Sequence, residues 1–418
     1  MNTDLALHVL LALAVVVVAG RLFGKLLGLI GQPPVIGEVL SGILLGPSLL
    51  GRVAPAAEIY LFPEAARPSL SVIAELGVVL YMFIVGLEFD ATSLRRRAAP
   101  FIFVSQVSIA LPFALGVGLA FYLFPGLSQP GVRFLPFALF MGVALSITAF
   151  PVLARILTDR GLSRTELGIA ALTCAAIDDV TGWCLLAIVV GMARATVAGA
   201  LVSALLAGLF IVVMFLAGRP IAARLTRAGS PDGPSPEAIT WTLAGMLLSA
   251  VVAEMIGIHA IFGAFVFGAI LPAEGAIASF LRLERAPIVT ILFLPAFFAL
   301  TGLRTELSLV SSARDWLICL VIILLATAGK FGGSFLAGRI VGMPARFAAR
   351  LGVLMNTRGL MELVVLNVGL DIGVISPRLF TMMVIMAIAT TAITAPLLQL
   401  VRPDRREDEE HAERRARG

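Results

Sequence analysis

The chain has 418 residues, of which 59% are hydrophobic and only 14% are charged. Ordinary soluble domains carry about 25% charged residues, so this composition excludes a soluble enzyme, a disordered scaffold and a secreted disulfide framework. It predicts an all-α polytopic membrane protein instead. The net charge of +5 does not indicate a nucleic-acid partner, because the basic residues lie at the ends of apolar runs.

Apolar runs separated by short loops predict thirteen membrane-spanning helices. Their limits are 5–30, 33–51, 69–89, 98–124, 133–158, 165–193, 196–227, 237–257, 259–273, 286–303, 314–341, 344–371 and 377–401. We therefore predict one transmembrane domain over residues 1–403 and a short charged cytoplasmic tail over residues 404–418.

The distribution of Lys and Arg predicts the orientation of the chain in the membrane. With the N-terminus outside, 22 of the 31 basic residues fall on the inner side and 7 on the outer side. Inner loops of membrane proteins carry an excess of basic residues, so we expect an external N-terminus and a cytoplasmic C-terminus. The remaining two basic residues, Lys330 and Arg358, fall inside predicted spans.

Two adjacent carboxylates, Asp178 and Asp179, lie in the middle of the sixth predicted span. A charge at the bilayer centre costs about 2.5–3.5 kcal/mol or more, so such residues need partners or a water-filled cavity. Two carboxylates this close should titrate as a coupled pair, which suits a site that holds either protons or a monovalent cation. A hydrogen-bonding pair between helices is the structural alternative.

Lys330 is the natural counter-charge, because the glycines around it allow another helix to approach closely. It could carry a proton, or it could form a purely structural salt bridge with Asp178. Three cysteines lie inside apolar runs and three histidines are scattered. We therefore expect no resident metal and no cofactor.

Two predicted spans, the fifth and the twelfth, contain polar residues with a proline or a glycine in mid-helix. The residues of these interruptions are Ser146, Thr148, Ala149, Phe150 and Pro151 in the first, and Asn356, Thr357 and Arg358 in the second. Interrupted helices at corresponding positions of two inverted halves indicate a transporter ion site. Arg358 and Glu362 are four residues apart, so we interpret them as an internal ion pair.

Several strings together resemble the second branch of the monovalent cation:proton antiporters, the Kef-type proteins and bacterial sodium/proton exchangers. These strings are Gln32 to Glu38, Gly42 to Pro47, Val85 to Asp90, Thr148 to Arg155, Ile177 to Asp179 and Asn356 to Leu363. The resemblance implies two inverted repeats with two crossed unwound helices, a scaffold domain that forms a homodimer, and a mobile core domain. It also implies that Asp179 binds the cation or proton, that Asp178 pairs with Lys330, and that Thr148 lines the crossing.

The resemblance implies a secondary transporter of the bacterial inner membrane rather than an enzyme. We expect it to exchange Na⁺, or alternatively K⁺, for protons by alternating access, with net charge movement. A Kef-like potassium efflux system and a sodium-coupled organic-solute symporter of related architecture are the alternatives. Kef-type proteins usually have a different residue before a single aspartate and carry a soluble nucleotide-binding domain. This sequence shows neither feature, which argues against the Kef-like alternative.

Overall fold

The structure is a computed structural model that describes residues 3–88, 98–163, 165–194, 197–226, 229–230, 233–257, 259–272, 275–281 and 288–401. The predicted tail over residues 404–418 lies outside the described residues, as do Phe89, Asp90 and several of the arginines counted for orientation.

The described chain is almost entirely helical. Its helices are α1 (Thr3–Gly28), α2 (Pro34–Leu45), α3 (Leu50–Val53), α4 (Pro55–Leu61), α5 (Arg67–Glu88), α6 (Ala98–Leu127), α7 (Phe134–Ser146), α8 (Phe150–Asp159), α9 (Glu166–Arg194), α10 (Val197–Val213), α11 (Arg219–Thr226), α12 (Pro236–Ile256), α13 (Ala260–Ile270), α14 (Ala276–Phe280), α15 (Leu294–Leu303), α16 (Ala313–Ile340), α17 (Ala345–Met355), α18 (Leu360–Asp371) and α19 (Pro377–Leu400). Short π-helical segments, Met214–Gly218 and Val289–Phe293, precede α11 and α15, and a 3₁₀ turn covers Leu307–Leu309. Two strands, β1 (Gly229–Ser230) and β2 (Gly233–Pro234), form an antiparallel pair.

Ten helical runs among the described residues are long and apolar enough to cross a membrane, and two shorter apolar helices, α7 and α13, accompany them. Each of the thirteen predicted ranges overlaps at least one helix, so the predicted all-α membrane architecture is confirmed. The helix in the ninth range is shorter than predicted, because α13 ends after 11 residues, just before Leu271 and Pro272. Proline disfavours the helical conformation for the residue that precedes it, which explains this early end.

The chain divides into two compact units. The first comprises Met1–Phe23, Glu38–Arg95 and Trp183–Arg304, and the second comprises Gly24–Gly37, Arg96–Gly182 and Thr305–Gly418. In the first unit α5 packs closely on α13, since a Cβ atom on Gly86 would collide with the Phe265 carbonyl and one on Gly268 with the Phe83 carbonyl. Small residues let helix backbones approach in this way.

The second unit contains α6 to α8, the first part of α9, and α16 to α19. These helices correspond to the fourth to sixth and the eleventh to thirteenth predicted ranges, which are two sets of three. Helix α16 packs on α6 through glycines, because a Cβ atom on Gly329 would meet Pro112 and one on Gly333 would meet the Val107 carbonyl. All residues of the candidate site lie in this unit.

Candidate functional site

The fifth predicted span is broken between α7 and α8. Residues Ile147 and Ala149 have extended backbone angles, with ψ values of 140° and 96°. Pro151 occupies the first turn of α8, where its missing N–H leaves no helical bond unmade. In a continuous helix the proline ring would clash with the carbonyl four residues earlier, so the helix breaks before it.

The twelfth predicted span is broken in the same way between α17 and α18. The break lies directly beside the first one, since the Ala149 amide donates to the Thr357 carbonyl at 2.9 Å. The Thr148 hydroxyl lies 2.8 Å from the Met355 carbonyl, at the end of α17. Gly359 makes this approach possible, because a Cβ atom there would collide with the Val152 side chain. The two unwound segments therefore meet in the interior of the second unit.

The last carbonyls of α7, which have no partner within the helix, accept hydrogen bonds from two cationic side chains. The Arg358 guanidinium donates to the carbonyls of Ala144 at 2.8 Å and Leu145 at 2.5 Å. The Lys330 ammonium donates to the Ser146 carbonyl at 2.5 Å. A helix C-terminus leaves its last carbonyls without partners and carries partial negative charge, so both cations stabilise the interrupted helix. Arg358 also pairs with Glu362 at 2.8 Å, in a fully buried contact.

Asp178 is fully buried and is surrounded by donors. Its Oδ2 atom lies 2.6 Å from the Lys330 ammonium and 2.9 Å from the Thr148 hydroxyl. Two serine hydroxyls of α6 complete the set: Ser105 donates to Oδ1, and Ser108 lies 3.4 Å from Oδ2. Both oxygens of this buried carboxylate therefore have hydrogen-bond donors.

Asp179 is equally buried but lacks such partners. Among the described residues, neither of its carboxylate oxygens reaches hydrogen-bond geometry with a donor. The backbone amide of Phe150, the first residue of α8, lies beside the carboxylate. A helix N-terminus carries partial positive charge, which favours an anion there. Asp179 is thus a carboxylate without a side-chain donor among the described residues, next to Asp178, which is paired with Lys330.

The remaining predicted residues lie around the crossing and bond mainly to backbone. The hydroxyls of Ser146 and Thr357 donate to carbonyls of their own helices, and the Asn356 side-chain amide lies 3.4 Å from the Thr327 hydroxyl. The structure therefore places Lys330 and Thr148 in direct contact with the Asp178 carboxylate. Asn356 and Thr357 lie in the second break.

Sequence reasoning missed the two serines of α6 and the contacts that Arg358 makes with α7. Ser105 and Ser108 are three residues apart, so both project from one face of α6. That spacing was the available signal. Within the described residues no group of three His, Cys, Asp or Glu side chains could hold a metal ion.

The fold and site define a class of protein. Two interrupted helices meet at buried carboxylates and cations, inside a multi-pass helical membrane protein, which is the arrangement that secondary transporters use for ion sites. The carboxylates can hold protons or a hard monovalent cation, and a lysine offsets one of their charges.

Comparison with known proteins agrees with this class. The family model for the transmembrane sodium/hydrogen exchanger matches residues 10–400. The chain belongs to this family. It is 45% identical to the Na(+)/H(+) antiporter NhaS4 of Synechocystis sp. over 406 residues, which cover 96% of this chain and 99% of that protein.

Longer relatives match over the same region. The chain is 40% identical to Cation/H(+) antiporter 20 of Arabidopsis thaliana, covering 93% of this chain and 48% of the relative. It is 36% identical to K(+)/H(+) antiporter 1 of Saccharomyces cerevisiae, covering 89% of this chain and 44% of the relative. The chain therefore spans about half the length of these plant and yeast proteins.

A solved structure supports the fold. The sodium proton antiporter MjNhaP1 of Methanocaldococcus jannaschii superimposes with a TM-score of 0.67 over 94% of this chain and 96% of that one, at 16% sequence identity. At this identity the similarity shows the shared fold alone.

Proposed function

We propose that this protein exchanges a monovalent cation for protons across the membrane, with Asp179 as the exchange site. The observation that carries the proposal is the contrast between two adjacent buried carboxylates. Asp178 is held by side-chain donors and a lysine, whereas among the described residues Asp179 has no side-chain donor and only the Phe150 backbone amide beside it. A buried carboxylate without a charged partner favours uptake of a proton or a cation.

Competition between these two occupants would couple the flows. A proton on Asp179 excludes the cation, and a cation there displaces the proton, so each occupant is released only where the other is abundant. Alternating access follows if the second unit changes the side from which Asp179 is reached only when it is occupied. The second unit would then be the mobile core, and the first unit the scaffold that forms a homodimer.

The exchange would be electrogenic if two protons move for each cation, since one net charge then crosses the membrane. A membrane potential contributes about 2.3 kcal/mol per elementary charge per 100 mV, which is enough to drive cation extrusion. Location in the bacterial inner membrane rests on the resemblance to bacterial exchangers, and the external N-terminus and cytoplasmic C-terminus rest on the distribution of basic residues.

The transported ion is proposed to be Na⁺, with K⁺ as the second choice. The name of NhaS4 specifies Na⁺, which supports the first choice, while the name of the yeast relative specifies K⁺. A Kef-like efflux system would carry K⁺ without obligatory proton counterflow, and a solute symporter would need an organic substrate.

Purified protein in proteoliposomes tests the proposal. A pH-sensitive dye should report proton movement on addition of NaCl, with smaller or no responses to KCl, LiCl and choline chloride. An imposed membrane potential should change the rate. Cation flux without proton movement would contradict exchange, and a response to KCl alone would reassign the cation.

A further inference from the structure

The surroundings of Asp178 contain more donors than a salt bridge with Lys330 requires. Ser105 donates to Oδ1, so it serves the oxygen that Lys330 does not contact. Ser108 lies 3.4 Å from Oδ2 and also 3.4 Å from the Lys330 ammonium. Both serines are fully buried on α6. Helix α6 thus contacts the aspartate independently of the lysine.

Lys330 is shared among several acceptors. Its ammonium donates to Asp178, to the Ser146 carbonyl and to the Ser108 hydroxyl. A cation held by Asp179, the next residue of α9, would bring a second positive charge close to this ammonium and weaken its attraction to Asp178. Asp178 would then remain buried with only hydroxyl donors, and an unpaired buried carboxylate costs several kcal/mol.

On the basis of the proposed exchange function, we propose that Ser105 and Ser108 are positioning residues that hold the Asp178 carboxylate in place beside the cation site while Lys330 is released from it. The hydroxyl of Ser108 accepts from Lys330 and lies within reach of Oδ2, so it bridges the ion pair. When the lysine withdraws, the same hydroxyl can donate fully to Oδ2, while Ser105 continues to hold Oδ1. Asp178 therefore keeps its position and continues to attract the cation at Asp179.

The other charged or titratable groups near this pair are few. Helix α9 contributes Asp179 and, one turn earlier, Cys174, while α16 contributes Lys330. The second break contributes Arg358 and Glu362, which pair with each other. Helix α6 contributes no charged side chain. Hydroxyl donors on α6 can therefore stabilise Asp178 without adding a charge that would repel the transported cation.

The test compares exchange by full-length variants in proteoliposomes across pH and cation concentration. In Ser105→Ala and Ser108→Ala, the Asp178 carboxylate loses a donor that fixes its position, so it attracts the cation at Asp179 less. Each variant should raise the KM for the cation about tenfold, since one hydrogen bond to a charged group changes an equilibrium by roughly this factor. Because protons compete with the cation for the site, weaker cation binding should also move the pH of half-maximal rate upward. The maximal rate at saturating cation and alkaline pH should change little.

Two further variants separate positioning from packing. Ser105→Thr keeps the hydroxyl and should restore both the KM and the pH profile. Ser334→Ala is the matched control, because Ser334 is also fully buried but, in the described part of the chain, donates to the backbone carbonyl of Lys330 on its own helix. It should keep the wild-type KM and pH profile.

Wild-type exchange tests the proposed function separately from this inference. If wild-type protein exchanges and both alanine variants keep its KM and pH profile, the positioning role is wrong. A loss of rate that is equal at all pH values and cation concentrations, and that Ser105→Thr does not restore, would also overturn it. Thermal unfolding of the purified variants, with and without the cation, gives a second measure of cation binding that does not depend on transport.

Discussion

Two neighbouring residues on one helix have opposite environments in this protein. Side chains of adjacent helical residues point about 100° apart, so Asp178 faces α6 and Lys330 while Asp179 faces the start of α8. Asp178 therefore has a side-chain partner for each oxygen, and Asp179 has no side-chain partner within the described residues. A rotation of about 100° on α9 thus separates two carboxylates with different surroundings.

Removal of the lysine should expose the energetic cost of the buried aspartate. We expect Lys330→Met to lower the free energy of unfolding by about 3–5 kcal/mol, since it leaves Asp178 as an unpaired buried charge. The double variant Asp178→Asn/Lys330→Met should recover most of this loss, because neither charge remains. Thermal unfolding of the detergent-purified variants measures both effects.

The matched control for this prediction is Lys25→Met. Lys25 is the other lysine of the chain and lies exposed near the end of α1, so its loss should change stability little. Equal stability of Lys330→Met and Lys25→Met would show that the buried ion pair has no such role.

The sequence predicted the charged members of the site and Thr148, but not the two serines of α6. Asp178, Asp179 and Lys330 were identifiable because charges in mid-membrane are too costly to be incidental. Ser105 and Ser108 were not, since a serine costs little in a membrane helix and can bond to its own backbone. Only the packing of α6 against α9 and α16 shows that these hydroxyls reach Asp178.

At the scale of the helix, the crossing of two broken helices is stabilised by charges at their ends. The end of α7 is covered by Arg358 and Lys330, whereas the end of α17 receives, among the described residues, hydroxyl and amide donors that include Thr148. A guanidinium presents several donors in a fixed fork, which suits the two consecutive carbonyls that Arg358 contacts. Arg358 is therefore a link between the two broken helices.

Arg358→Leu should be among the most destabilising substitutions in the chain. It removes the donors to two buried carbonyls and leaves the Glu362 carboxylate buried without its partner, so we expect a loss of at least about 3 kcal/mol. Arg358→Lys should recover part of this loss through a single donor group. Thermal unfolding and the yield of folded protein provide the measurement.

Arg339→Leu serves as the control for that substitution. Arg339 also donates to a backbone carbonyl, that of Met343, but it does so in an exposed contact at the end of α16. Its replacement should cost well under 1 kcal/mol. If the two leucine variants were equally stable, Arg358 would have no special role at the crossing.

Close approach of the two breaks depends on Gly359. Gly359→Ala should separate the breaks, because the added Cβ atom would collide with Val152, and it should therefore abolish transport while the protein still folds. The double variant Gly359→Ala/Val152→Ala removes the collision and should restore part of the activity. Gly118→Ala is the control, since a Cβ atom on Gly118 of α6 has nothing within 4 Å. Full transport by the single Gly359 variant would contradict the requirement for close approach.

For the molecule as a whole, hydropathy predicted where helices lie but not how they are divided. The thirteen apolar ranges each contain a helix, because the need to bury backbone polar groups in the bilayer leaves few other structures. Polar residues with Pro151 and Gly359 marked the two interruptions in advance. The division into two units depends on contacts between distant segments, which periodicity does not encode.

The orientation predicted from the basic residues is open to a direct test. Alkaline phosphatase, which is active only outside the cytoplasm, should be active when fused after Arg133 and inactive when fused to the C-terminus. A fluorescent protein that folds only in the cytoplasm should fluoresce at the C-terminus. The reverse pattern would show that the 22 to 7 distribution of basic residues does not govern this chain.

The most direct test of the central claim is cation-driven proton movement by Asp179→Asn in proteoliposomes, beside wild-type protein reconstituted at the same density. Asparagine keeps the shape of the side chain but cannot bind a proton or neutralise a cation. We predict that wild-type protein responds to NaCl and that Asp179→Asn shows no response at any NaCl concentration or pH, although it folds normally. Exchange by Asp179→Asn at the wild-type rate would contradict the assignment of Asp179 as the exchange site.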